Sequence, residues 1–378
     1  MLQKALSRIL GCGLLLSYGS TALAFTLIEL PENSPSSSTT DSLTLQTQVQ
    51  PIAATIRAQI LGHLRPKGSK KATQVGGMML AANAQASSMG DVNLLAAAAS
   101  DAPPAGSAVG SGNSESLWIS TAINSIENDF SRTAFYGATQ NLLVGFDLTR
   151  SNQYVAGVSV GYEASNFTTT FNAGNEKTRG FNINPYFAWL LSDTWSLDLI
   201  LGYGDFDTRQ TRTMGTGPLT TLAVNSDFSS KRGLASTNLT NVSTFGNWKL
   251  TGSLGFLWSR RENDAYVESI PFPLGNVVAK SKQTLEQWNL LGEAAYGRGN
   301  TEAFFGATYE STQDMQKITL TSGLGEQPAN DPSSVLLTAG WRYFANKGLS
   351  ANFVFSARVA QDDFKEQYGF SMVLRVDL

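Results

Sequence analysis

Residue types that usually carry chemistry are sparse in this chain. It has one histidine, His63, and one cysteine, Cys12, in 378 residues. Nucleophilic catalysis needs a hydroxyl or thiol beside a base, and a hydrolytic barrel would present that base on a strand end or loop. His63 lies instead in a run with helical spacing and basic neighbours. A zinc site needs three or four converging ligands, and only scattered carboxylates are on offer. The glycine-rich pieces at Gly202–Phe206 and Gly323–Gln327 are followed by no helical pattern, so they are not phosphate cradles. The sequence predicts no enzyme, no cofactor and no metal site.

What recurs is a set of polar residues out of phase with apolar ones. Asp147, Glu163, Asn182, Asn184, Asp198, Gln287, Asn289, Glu293, Glu310, Arg342, Arg358, Arg375 and Asp377 each alternate with hydrophobic neighbours. Their chemistry is electrostatic. If the apolar sets face lipid, these residues line a bore, and Asp147, Glu163, Asp198, Glu293, Arg342 and Arg358 are its main charged candidates. They are either solvated lumen residues or acidic patches that hold a basic segment. The basic candidates are Arg57, His63 and Arg65.

The elements that position them are strands. From Glu115 onward the pattern has period 2, the mark of strands with two different faces. Tyr154, Ala156, Val158, Val160 and Tyr162 alternate with small or polar residues, as do Leu197, Leu199, Leu201 and Tyr203. The last stretch repeats this, with Tyr368, Phe370, Met372, Leu374, Val376 and Leu378 on one face to the final residue. Twelve strands are expected, at 115–124, 132–149, 153–170, 176–191, 194–212, 223–244, 247–263, 280–298, 300–313, 333–345, 348–361 and 364–378. Short turns separate some, and longer loops fall at 125–131, 213–222, 264–279 and 314–332. Short turns at one end and long loops at the other are the layout of a transmembrane barrel. Trp118, Trp189, Trp195, Trp248 and Trp341 fall near strand ends on the short-turn side, where an aromatic belt belongs. In this register Leu199 faces lipid and Ile200 the lumen, so arginine should be far better tolerated at Ile200.

The segment before the strands divides by composition. Residues 1–24 read as a secretory signal peptide, with Lys4 and Arg8, an apolar run and Ala22-Leu23-Ala24. Residues 25–50 are polar and expected to be disordered. Residues 51–65 have Ile52, Ile56, Ile60 and Leu64 at helical spacing, with Pro51 as first helical residue and Pro66 as stop. This basic amphipathic helix is the candidate lumen plug. Residues 66–113 are a Gly/Ala/Ser-rich linker, and 114–378 form the barrel. No run is long enough for a spanning helix, so a membrane form must be a closed barrel. The formal net charge of -3 argues against nucleic acid as a partner.

Four pieces carry a family resemblance: Gly145-Phe146-Asp147, Gly157-Val158-Ser159-Val160-Gly161-Tyr162, Gly180–Trp189 and Leu197–Arg212. In this order, with the strand count and signal, the chain resembles the β-domain of autotransporters, the type V secretion proteins. The resemblance implies an all-β, antiparallel twelve-stranded barrel threaded by an α-helix and integral in the outer membrane of a Gram-negative bacterium. It implies a translocator presenting or exporting its own N-terminal segment, with outer-membrane lipids, the barrel-assembly machinery and periplasmic chaperones as partners. It makes Tyr368, Phe370 and Leu378 the C-terminal assembly signal, although the family usually ends in Phe or Trp. The usual long passenger has no counterpart in 25–50, and 51–113 holds no Asn-Asn pair for self-cleavage. The alternative is a porin-like channel for small solutes.

Overall fold

A computed structural model describes residues 37–63, 113–129, 134–150, 153–217, 220–269, 276–313, 318–319, 326–327, 333–345, 348–359 and 365–378. The expected signal peptide, most of the linker and Arg65 lie outside these residues.

The strands of the wall are β1 (Asn113–Asn128), β2 (Phe135–Arg150), β3 (Tyr154–Thr169), β4 (Gly174–Leu190), β5 (Trp195–Gly217), β6 (Thr220–Phe245) and β7 (Trp248–Asn263). After a small hairpin of β8 (Tyr266–Glu268) and β9 (Asn276–Val278) come β10 (Ser281–Arg298) and β11 (Thr301–Gln313). A second small pair, β12 (Ile318–Thr319) and β13 (Glu326–Gln327), precedes β14 (Ser333–Phe344), β15 (Leu349–Val359) and β16 (Lys365–Asp377). Each wall strand pairs antiparallel with its neighbour, and β1 pairs with β16 from Ser116↔Asp377 to Asn128↔Lys365, closing a twelve-stranded barrel. The Leu378 amide extends that seam by donating to the Glu115 carbonyl at 2.8 Å. Closure leaves no unpaired edge, which is what lets strands cross lipid.

The hairpins at one end are tight. Gly246, Gly299 and Gly348 turn there with φ of 59°, 62° and 80°, a left-handed conformation that glycine adopts without strain. The expected loop at 213–222 is strand instead: β5 and β6 run on past the others and pair as far as Gly217↔Thr220. The cross-strand ladder is satisfied there above the apolar band, so turn-forming residues such as Gly215 and Gly217 do not end it.

Burial follows the period. On β5, Leu197, Leu199, Leu201 and Tyr203 are exposed, whereas Ile200 is buried. The outer surface carries two aromatic girdles. Near the tight turns, Tyr154 stacks with Trp189, Trp248 lies against Tyr296, and Trp341 stacks with Phe353. Toward the long loops, Tyr162 packs on Phe181 and Phe256 on Trp288. Trp195 and Tyr203 are eight residues apart, a height of roughly 20 Å for a tilted strand, close to the apolar band of such barrels.

Trp118 is not in the belt. It faces inward, fully buried, and donates from Nε1 to Asp147 at 3.3 Å and to the Tyr186 hydroxyl at 3.1 Å. The reason is across the sheet. Trp118 is paired with Gly145, and a Cβ there would collide with the indole. Gly157, paired with Tyr186, makes room for the phenol in the same way.

The described helix, α1 (Ser37–His63), is longer than the expected 51–65. Residues 37–50, expected as disordered, are its first half, and Pro51 lies inside it rather than at its start. Leu45 and Val49 extend the spacing of Ile52, Ile56 and Ile60 backward, and the enclosing wall supplies partners for the polar residues between them. Among the described residues no helix is long and apolar enough to cross a membrane.

Candidate functional site

α1 occupies the bore. From Leu45 to Leu61 every side chain except that of Gln50 is buried. A surface helix would show one wet face; here wall residues meet α1 on all sides, so it need not be one-sidedly amphipathic.

The contacts fix its direction. Toward its C-terminal end, Arg57 donates from Nη2 to Thr240 at 2.7 Å, and its Nε is 3.9 Å from Asp198. Asp198 is the fourth residue of β5, and Thr240 is near the end of β6, both close to the tight-turn side. Farther toward the N-terminus, Gln48 accepts from Arg232 at 3.0 Å, and Gln50 donates to Gln287 at 2.8 Å. These wall residues sit farther along their strands, toward the long loops. The N-terminal end of α1 therefore points to the long-loop side and its C-terminal end to the side where β1 begins.

The apolar packing is lopsided. Leu45, Val49, Ile52, Ala53, Ile56 and Ile60 form one cluster with Trp118, Leu143, Val155, Tyr186, Ala188, Leu190, Ile200, Leu234, Leu257 and Leu285. Most of these wall residues belong to β1–β6. Each fully buried aliphatic side chain contributes about 1.5–3 kcal/mol relative to exposure in water. Lower down, Ala58 joins Ala295, Phe304, Val354 and Val373, and Leu61 meets Leu291. Beside α1 is a space of about 30 Å³ of mixed lining, with Ala53, Leu257 and Leu336 as well as Gln50, Asn238 and Glu310, room for only one or two waters.

The charged residues of the wall mostly serve one another. Arg232 and Glu163 make a bidentate pair at 3.0 and 2.7 Å, with the guanidinium also over the Phe206 ring. Arg342 bridges Glu293, at 3.0 and 2.8 Å, and Glu302, which Lys249 also meets at 2.7 Å. Arg358 pairs with Glu310 and donates to Gln50 at 2.8 Å. Among the described residues one ion pair joins α1 to an acidic wall residue. Of the basic candidates, only Arg57 is seen to meet an acidic wall residue, Asp198; His63 is the last residue of α1. Wall arginines take up Glu163, Glu293 and Glu310, because a buried carboxylate needs its counter-charge close at hand.

Asp147 lies apart from α1's charge. It accepts from Ser116 at 3.0 Å, from Trp118 and from Tyr186, a network that stiffens the wall near the tight turns. Sequence reasoning did not find Arg232, Lys249, Glu302 or Asn124; of these only Lys249, between Trp248 and Leu250, carries the alternation that could have shown it. On β16, Tyr368, Phe370 and Leu378 share the outward face, and Leu378 is 73% exposed. Among the described residues no group of three or more His, Cys, Asp or Glu could hold a metal.

Residues 117–284, from β1 into β10, match the family model described as Autotransporter beta-domain. The translocator domain of the autotransporter NalP from Neisseria meningitidis is similar in fold, with a TM-score of 0.57 at 13% identity over 71% of this chain and 88% of that one. The β-domain of the Bordetella autotransporter BrkA gives 0.53 at 17% identity, over 69% of this chain and 98% of that one. No curated protein matches the chain.

Proposed function

We propose that this chain, an integral outer-membrane barrel of the autotransporter translocator type, holds its own N-terminal segment across the membrane and presents the residues ahead of Ser37 at the cell surface. The observation that carries this is the direction of α1. Its Arg57 end rests near the tight turns, the periplasmic side, and its Gln48 end points to the long loops. A segment that enters from the periplasm and stops in the bore leaves its N-terminal part outside.

A porin-like channel needs an open lumen, whereas in this one α1 is buried against the wall from Leu45 to Leu61. The passenger is the short polar stretch that follows the signal at 1–24. Barrel-assembly machinery and periplasmic chaperones act on the chain before insertion, through the outward apolar face of β16 that ends in Tyr368, Phe370 and Leu378.

The test is protease shaving of intact cells carrying an epitope tag between residues 25 and 36. The tag should be lost while periplasmic markers stay intact. A tag cleaved only after the outer membrane is permeabilised would overturn the reading.

A further inference from the structure

α1 has its proline in mid-helix. Proline has no amide hydrogen, so position 51 offers no donor to the carbonyl four residues earlier, that of Thr47. The side-chain amide of Asn124, on β1, donates to that carbonyl at 3.2 Å. Asn124 is fully buried, and its Oδ1 has no partner among the described residues, so the donor half of its amide is the half in use.

Inside a regular helix each carbonyl is taken by the amide four residues on. A helix moving along a polar wall thus offers carbonyls without a helical amide only in its last turn and ahead of a proline, and these are its best backbone acceptors. The Thr47 carbonyl is a mark at one height on α1, independent of its side chains. We propose that Asn124 reads this mark and sets the depth and rotation at which the threaded segment comes to rest. Asn124 is then a positioning residue for translocation, an inference that rests on the reading of α1 as a segment halted in the bore.

The neighbouring grips are of another kind. Gln50 with Gln287, Glu310 and Arg358, and Gln48 with Arg232, are contacts between long side chains. Those side chains can follow a small slide and keep their bonds. Asn124 is short, and its target is backbone, so its contact tolerates little displacement.

Leu61 and Leu291 pack against each other and report the height of α1. The experiment places cysteines at both positions in the full chain, in outer membranes, and follows disulfide formation on mild oxidation. Asn124→Leu removes the donor at similar size. Pro51→Ala supplies the missing amide, which competes with Asn124 for the Thr47 carbonyl and weakens that contact. Each should slow cross-linking about fivefold, the scale of one net hydrogen bond, with the folded barrel band unchanged. The double variant should be no slower than either single one. If the parent pair does not cross-link, α1 does not rest in the bore and the reading of function falls. If the parent cross-links and both single variants match it, the stop at Asn124 is refuted. Should Asn124→Leu fail to assemble, Pro51→Ala decides alone, since it leaves the wall intact, and an unchanged rate overturns the proposal.

Discussion

Leu199 and Ile200 are consecutive in the chain and face opposite environments: Leu199 is 45% exposed on the outer surface, and Ile200 is 0% exposed in the apolar cluster that holds Ile52, Ile56 and Ile60. Leu199→Arg should cost roughly 2–4 kcal/mol near the midplane and lower the yield of heat-modifiable barrel. For assembly Ile200→Arg should be the milder change, as the register implies, but α1 covers that position and must give way to the arginine. Ile200→Arg should leave the barrel inserted but dislodge α1, seen as higher single-channel conductance with a normal folded band. Equal assembly yields for the two variants would contradict this register.

Removing residues 37–61 should open the bore. Single-channel conductance in planar bilayers should rise markedly over that of the full chain, since α1 is enclosed by wall on all sides. Unchanged conductance would mean the channel runs elsewhere.

Gly157→Ala puts a methyl group into the ring of Tyr186. The phenol must move, and its bond to Asp147 goes with it. Overpacking of this kind costs about 1–3 kcal/mol, to be read as a lower urea midpoint of the folded band. Tyr186→Ala in the same background should lessen the added penalty by removing the clash.

Arg232 and Glu163 form a buried pair, with side chains 3% and 1% exposed. Arg232→Met alone strands the carboxylate and should cost about 3–5 kcal/mol. The double variant Arg232→Met with Glu163→Gln should recover part of that loss in urea unfolding. A double variant worse than the single one would show that the two charges do not act as a pair.

Leu378 ends the outward face of β16. Leu378→Asp should reduce assembled barrel in the outer membrane, and Leu378→Phe should match or exceed the parent. Assembly indifferent to both changes would remove Leu378 from the recognition signal.

The strands were legible because their cause is local. A pleated chain puts successive side chains on opposite faces, so apolar and polar environments are written into the sequence with period 2. That is enough to count twelve strands, to put Leu199 outward and Glu163 inward, and to see Ile52, Ile56 and Ile60 as one helical stripe. The first half of α1 was harder to see: SSTTDSLTLQTQ has the composition of a disordered tail, and only Leu45 and Val49 hint at continuation. From Leu45 to Gln50 the wall encloses this polar stretch and offers Arg232, Arg358 and Asn124 as partners.

Tertiary structure alone decided which groups meet. The alternation around Trp118 does not tell which way an indole turns; the absence of a side chain at Gly145, opposite it on β2, does. Glu163 and Arg232 are 69 residues apart, and their pairing required the register of the strands between them. The charges of the wall cancel one another for the same reason, leaving Arg57 to meet Asp198. Period and composition are properties of neighbouring residues. Partnership across a closed barrel depends on shear and closure, which no local stretch contains.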